Sequence, residues 1–107
     1  MEIKFIKVND NLFNVETHGV DEVVNNILDS ITMCNKEYIS AEIDGELINK
    51  LISRIVATEF KKQYPNYFEN NSMFIKLIVP YNGKRVNVTY GEILHNNNIK
   101  ILNGVLY

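Results

Sequence analysis

The residues able to do covalent or metal chemistry are few and widely spaced in this chain. His18 and His95 are the two histidines, and Cys34 is the single cysteine. A zinc site needs three or four such ligands at suitable spacing, and the sequence has neither a Cys-x-x-Cys nor a His-x-x-x-His pair. Cys34 ends an apolar helical stretch beside Met33, a position typical of a small buried hydrophobic residue. We therefore predict no metal site, no catalytic thiol and no cofactor.

Carboxylates are the other groups with chemical potential, and some of them occur in pairs. Asp21 with Glu22 and Glu42 with Asp44 are the two clearest pairs. Both stand where a helix is predicted to begin. There a carboxylate accepts hydrogen bonds from unpaired backbone N–H groups and is stabilised by the positive end of the helix dipole. The glycines stand singly, so no phosphate-binding loop is predicted. We predict that the chain is not an enzyme.

Charge is divided along the sequence. Residues 1–46 contain ten acids and three bases, a net charge of −7, whereas residues 47–107 contain eight bases and three acids, a net charge of +5. Such a division bears on partners, or on how the halves dock, and not on the fold. The acids of the first half either pair with the basic second half or form a separate surface, and the sequence leaves both possibilities open.

The composition is that of one ordinary globular domain. The chain has 107 residues, of which 46% are hydrophobic, enough to bury a single core. No apolar run approaches the roughly 20 residues that span a bilayer, and the first residues lack the layout of a secretion signal. A single cysteine allows no internal disulfide, so we expect a cytoplasmic protein. Abundant Asn, Ile and Lys are typical of low-GC bacteria, their phages and their mobile elements.

Hydrophobic periodicity predicts short strands and two helices. Strands are predicted at 3–8 and 12–17, a first helix from Asp21 to about 33–35, a strand at 38–43, and a second helix from Asp44 to just before Pro65. Further strands at 72–79 and 85–90 flank an Asn-Gly hairpin turn, a single helical turn follows at 92–95, and residues 99–107 form a small hairpin or an interrupted strand. The predicted fold is a single α+β domain, residues 1–107: a two-layer sandwich in which two helices pack on one face of a mixed, mainly antiparallel sheet.

Helices on one face would leave the other face of the sheet to solvent or to a partner. The residues predicted in that phase include Tyr38, Phe74, Lys76, Ile78 and Arg85. Scattered apolar residues are normal on a solvated sheet face, but aromatic residues and arginine are also enriched at protein interfaces. This face is therefore either ordinary surface or a docking surface.

The acidic first half supplies the preferred functional hypothesis. Carboxylates spaced along a surface imitate a phosphate backbone and so fit the basic groove of a nucleic-acid-binding protein. The residues assigned to this surface are Glu16, Asp21, Glu22, Asp29, Glu37, Glu42, Asp44 and Glu46. We expect a small non-enzymatic binding protein of a phage or mobile element that occludes a nucleic-acid-binding host defence enzyme, in the manner of anti-CRISPR or anti-restriction proteins.

Two functions from other classes stay open. The chain would be a structural or self-assembling accessory protein, such as a homodimer, if an exposed strand edge and the free sheet face were buried against another copy. Single-stranded nucleic-acid binding is permitted by basic side chains that stand near aromatic residues in the sequence: Lys61, Lys62, Lys76, Lys84 and Arg85. The net charge of −2 and the scarcity of arginine count against direct nucleic-acid binding, and no membrane partner is expected.

Overall fold

The computed structural model describes residues 1–35, 41–71, 73–92 and 100–106, with side chains described for 1–30, 45–71 and 73–92. These residues form β1 (Glu2–Asn9), β2 (Leu12–His18), α1 (Val20–Asn35), α2 (Ala41–Gln63), α3 (Tyr67–Asn70), β3 (Phe74–Tyr81), β4 (Lys84–Glu92) and β5 (Lys100–Leu106). The strands make one sheet in the order β1-β2-β3-β4-β5. β2 and β3 are parallel, and the other neighbours are antiparallel. The predicted α+β fold with a mixed, mainly antiparallel sheet is confirmed.

The turns explain which strands are antiparallel. In the β1–β2 turn the side-chain Oδ1 of Asn9 accepts a hydrogen bond from the backbone N–H of Asn11 at 2.8 Å, which closes a tight turn. In the β3–β4 turn Asn82 and Gly83 both have positive φ, 46° and 75°, as a type I′ hairpin requires. β2 and β3 are joined instead by the three helices, and a connection of that length permits parallel pairing.

The core lies between one face of the sheet, called here the inner face, and the helices. Alternate strand residues are buried there: Ile3, Phe5, Phe13, Val15, Ile75, Leu77, Val79, Tyr81, Val86, Val88 and Tyr90. α1 adds Val20 and Val24, and α2 adds Ile52, Val56 and Phe60 at helical spacing. The helices therefore cover the inner face, and the residues of opposite phase form the open face of the sheet.

The strand predicted at 38–43 is wrong over its second half, because residues 41–43 belong to α2. Residues 36–40 lie outside the described residues. Asp44 is consequently inside α2 and does not cap it, and Asp21 likewise follows the first residue of α1. A six-residue alternation is a weak strand signal, whereas the acids Glu42, Asp44 and Glu46 suit the positive end of a helix dipole.

The C-terminal Asn-Gly pair makes no turn. Residues 100–106 form one continuous strand, β5, in which Gly104 stands opposite Val88 of β4. A Cβ at Gly104 would collide with the side-chain oxygen of Ser53 and would lie 3.1 Å from the carbonyl oxygen of Asn49, both on α2. This glycine therefore permits close approach of α2 to β5. Glu92 of the helical turn predicted at 92–95 is the last residue of β4, and residues 93–95 lie outside the described part.

Candidate functional site

α1 brings three of the predicted acidic residues onto one side. Asp21, Glu22 and Asp29 fall within one polar arc of the helix, together with Asn25 and Asn26, on the side opposite the buried valines. Asp21 is half-buried, and the other four side chains are exposed. We call Asp21, Glu22 and Asp29 the acidic stripe.

Local chemistry explains why α1 carries the stripe at its start. Asp21 and Glu22 lie in the first turn, where negative charge is stabilised by the helix dipole. The hydroxyl of Tyr81 on β3 donates a hydrogen bond to Oδ1 of Asn25 at 3.4 Å, which ties this part of α1 to the sheet. Burial raises the pKa of the Tyr81 hydroxyl, and the nearby charge of Asp21 raises it further. The stripe therefore begins beside the β3 end of the core.

The structure separates the other predicted acids from the stripe. Glu16 lies on the open face of the sheet, directly opposite Lys4 in the register of β1 and β2. Glu46 lies on α2 and forms an ion pair with Lys50 at 3.6 Å, one helical turn away. Glu42 and Asp44 belong to α2 but their side chains lie outside the described residues, as does Glu37 altogether. Of the predicted acids whose side chains are described, Asp21, Glu22 and Asp29 are thus the ones that share a surface.

Two ion pairs of the described residues each stay within one charged half of the chain, and a third, Glu46 with Lys50, spans the boundary within one turn of α2. Lys7 meets Asp10 at 2.8 Å within the first half, and Lys61 meets Glu92 at 3.3 Å within the second. The hydrogen bond to Asp10 and its negative charge raise the pKa of the exposed Lys7.

Four of the five residues predicted for an interface on the sheet have described side chains, and all four lie on the open face. Phe74, Lys76 and Ile78 project from β3 on this face, and Arg85 projects from β4. Phe74 is 39% exposed, and its ring covers the bare Cα of Gly91 on β4, leaving no room for a side chain there. Tyr38, the fifth predicted member, lies outside the described residues.

Two exposed apolar residues of β1 were not among the residues predicted for an interface. Ile6 and Val8 on β1 are 39% and 53% exposed, although both are aliphatic. The alternation of β1, in which Ile3 and Phe5 fill the inner face, puts Ile6 on the open face, whereas Val8 stands at the irregularity of the β1–β2 register between Lys7 and Asn9. Together with Phe74 and Ile78, Ile6 gives the open face an apolar component.

An aromatic cluster closes the end of the core next to the β1–β2 turn. The rings of Phe5, Phe13 and Tyr67 approach Phe60 with centroids 5.1, 5.2 and 5.4 Å away. The Tyr67 hydroxyl donates a hydrogen bond to the backbone carbonyl of Asp10, which fastens the helix-to-strand connection to the turn. Tyr67 and Phe68 are buried in α3, so this connection packs against the core.

This burial limits what the basic half could do with nucleic acid. Of the aromatic residues close in sequence to these lysines and arginine, Tyr67, Phe68 and Tyr81 are buried, whereas Tyr64 is 37% exposed. Lys61 is engaged with Glu92, and the remaining bases are spread over both faces of the molecule. Stacking of successive bases needs several exposed rings along a cationic track, which the described residues do not offer.

Buried tyrosines give the protein a testable response to alkali. Burial raises the pKa of Tyr90 above its ordinary value of 10.0, with a further rise from Glu92 opposed by Lys61. A raised folded pKa means that this group's contribution to stability is complete below about pH 10 and is lost as pH rises further. We expect Tyr90→Phe to flatten the loss of denaturation midpoint between about pH 9 and pH 11. Lysine titration is common to both proteins, so equal slopes would contradict the expectation.

The described residues offer no metal site, since they contain no group of three or more His, Cys, Asp or Glu side chains able to hold an ion. His18 is exposed on β2, Cys34 belongs to the last turn of α1 with its side chain outside the described set, and His95 lies outside it entirely. No helix within the described ranges is long and apolar enough to cross a membrane.

Comparison with known proteins gives no relative from which a function could be carried over. No protein-family model, no curated protein and no solved structure matches this chain. The acidic stripe and the open face of the sheet are therefore the surfaces on which a functional argument rests.

Proposed function

We propose that this chain is a small non-enzymatic binding protein that occludes the basic, nucleic-acid-binding surface of a larger protein. The observation that supports this proposal is the acidic stripe. Asp21, Glu22 and Asp29 share the polar side of α1, whereas Lys76 and Arg85 of the basic half project from the open face of the sheet, across the core from α1. The overall charge is only −2, but this separation keeps a locally negative surface.

The stripe suits a partner whose groove is built for phosphates. Such a groove presents lysine and arginine side chains, and their positive potential attracts anions. An acidic helix is therefore steered electrostatically toward the groove as it approaches. Asp21 and Asp29 are about 12 Å apart along the helix axis, a length over which a strand of nucleic acid also carries several charges. The helix therefore competes with the nucleic acid for the same cations.

The composition supports a particular kind of source genome and, with it, a particular class of partner. Codon usage rich in Asn, Ile and Lys is typical of low-GC bacteria and of the phages and mobile elements that live in them. A compact acidic protein of that origin would act on a nucleic-acid-binding host defence enzyme, by occupying its binding groove. Inhibition would be stoichiometric and reversible, because it depends on binding alone.

Charge reversal of the stripe tests this proposal. We expect the triple variant Asp21→Lys, Glu22→Lys, Asp29→Lys to bind its protein partner at least tenfold more weakly, since like charges would then face each other. The matched control reverses three exposed acids elsewhere, Glu2, Glu46 and Glu69, and changes the net charge equally. Circular dichroism establishes that each variant is folded before binding is compared.

The measurement is an affinity capture from a low-GC bacterial lysate with and without nuclease, read by mass spectrometry, followed by direct competition with DNA. A nuclease-resistant protein that the stripe variant loses, the control retains and DNA displaces would support occlusion. Capture that disappears with nuclease would mean that this chain binds nucleic acid. Equal binding by the stripe variant and the control would remove the acidic helix as the contact.

A further inference from the structure

We propose that the open face of the sheet is the interface of a symmetric homodimer, in which two copies pack face to face with the two-fold axis running along β3. This inference goes beyond the occlusion of a partner and uses a different surface. It rests on the arrangement of charged, amide and apolar residues that the strand register produces.

The register places the open-face residues in rows across the sheet. Asn14 of β2 is paired with Ile78 of β3, and Ile78 is paired with Asn87 of β4, which gives a row with an apolar residue between two amides. Two residues further along β2 stands Glu16, and β3 at that level pairs Pro80 with Arg85 of β4. A carboxylate and a guanidinium therefore lie on opposite sides of β3 at the same height.

A two-fold axis along β3 makes these rows complementary. The rotation exchanges the positions of β2 and β4, so Glu16 of one copy faces Arg85 of the other, twice. Asn14 faces Asn87, and amide side chains hydrogen-bond well to one another. Ile78 lies on the axis and packs against its own copy, as does the exposed ring of Phe74. An axis perpendicular to the strands would instead bring Glu16 opposite Leu12 and would form no such charge pair.

The size of the open face predicts how strong the dimer is. Five strands about 4.8 Å apart and about 25 Å long bury on the order of 1,000 Å² in total when two such faces meet. This area is at the low end for specific interfaces, so we expect a dissociation constant of about one to tens of micromolar. Both acidic stripes would remain on the outside of the dimer.

One residue opposes the dimer and supplies a prediction of opposite sign. Lys76 lies on β3 next to the axis, so two ammonium groups approach each other in the dimer. Their long flexible chains let them turn toward water, but some repulsion persists. Lys76→Ala should therefore tighten association of the two copies about threefold. If the open face instead bound a different, acidic protein, the same substitution would weaken binding.

The decisive experiment is analytical ultracentrifugation over a dilution series of the intact chain. Glu16→Arg alone and Arg85→Glu alone should each weaken dimerisation at least tenfold, and the double variant should return to within about threefold of the original. Arg54→Glu, an exposed residue of α2 on the opposite side of the molecule, is the matched control and should have no effect.

The results that overturn the proposal are equally specific. A chain that stays monomeric at the highest concentration reached contradicts it, and so does a dimer that neither single charge reversal weakens. A dimer weakened by the single variants but not restored by the double variant places the interface elsewhere. If a single variant proves unfolded by circular dichroism, the response to Lys76→Ala decides, because unchanged or weakened association would contradict the packing about β3.

Discussion

Phe60→Ala is expected to lower the free energy of unfolding by about 3–5 kcal/mol, enough to leave this small domain largely unfolded. The ring is fully buried on α2, and it meets six other rings with centroids 5.0–6.4 Å away: Phe5, Phe13, Tyr64, Tyr67, Phe68 and Tyr90. These rings come from β1, β2, β4, α3 and the turn after α2, so the cavity would be shared by elements that cannot all collapse into it.

Urea denaturation followed by circular dichroism measures this loss, and Phe74→Ala is the matched control. Phe74 is the same residue type on the opposite side of the sheet, where its ring is half-exposed, and its removal should reduce stability by about 1 kcal/mol or less. Similar losses at Phe60 and Phe74 would contradict the division of the sheet into a covered inner face and an open face.

Gly104→Ala should lower the free energy of unfolding by about 2–3 kcal/mol, although alanine is the smallest possible addition. Its Cβ would overlap the Ser53 side-chain oxygen and crowd the carbonyl oxygen of Asn49, so α2 and β5 would have to move apart. Backbone strain plays no part here, and the loss is purely steric. Thermal and urea unfolding of the variant measure it.

Ser53 provides the test of that mechanism. Its side chain is 2% exposed, and its oxygen has no hydrogen-bond partner among the described residues, as is also true of Oδ1 of Asn49. Ser53→Ala should therefore raise stability by about 1 kcal/mol and should recover part of the loss caused by Gly104→Ala. Strictly additive effects of the two substitutions would contradict the contact.

Gly45→Ala is the control for the glycine substitution itself. Gly45 lies in α2 with open space around its Cα, so the same change there should raise stability by about 0.5–1 kcal/mol through helix propensity. Opposite signs at Gly45 and Gly104 would separate the steric effect from any general response to losing a glycine. A loss at both positions would contradict the steric explanation, because it would indicate a general response to losing a glycine.

Much of the fold was predictable because the signals are local. Asn82-Gly83 forms its hairpin since both residues must take positive φ, and few other pairs do so easily. The apolar stripe of α2 and its end before Pro65 follow from spacing within the helix alone. The alternation of β3 and β4 likewise assigns their inner and open faces residue by residue.

The candidate surfaces were only partly predictable. Helical spacing alone puts Asp21, Glu22 and Asp29 on one side of α1. The alternation of β2 assigns Glu16 to the face opposite the helices, so Glu16 lies across the core from α1 and apart from the stripe. The exposure of Ile6 likewise depends on which face of β1 the helices leave open, which is a property of the packed structure.

The sequence by itself determined the α+β class, the hairpins and the helical stripes, because each depends on residues within a few positions of one another. The tertiary structure decided the rest. Ala41 to Ile43 join α2 although their alternation resembles a strand, and Gly104 serves a helix contact although Asn103-Gly104 resembles a turn. At 41–43 the alternation covers only six residues and gives way to the long helix that continues through it. At Gly104 a weak local preference is overridden by a contact with α2, about fifty residues away in the chain, and such a contact exists only once the sheet and helices have packed.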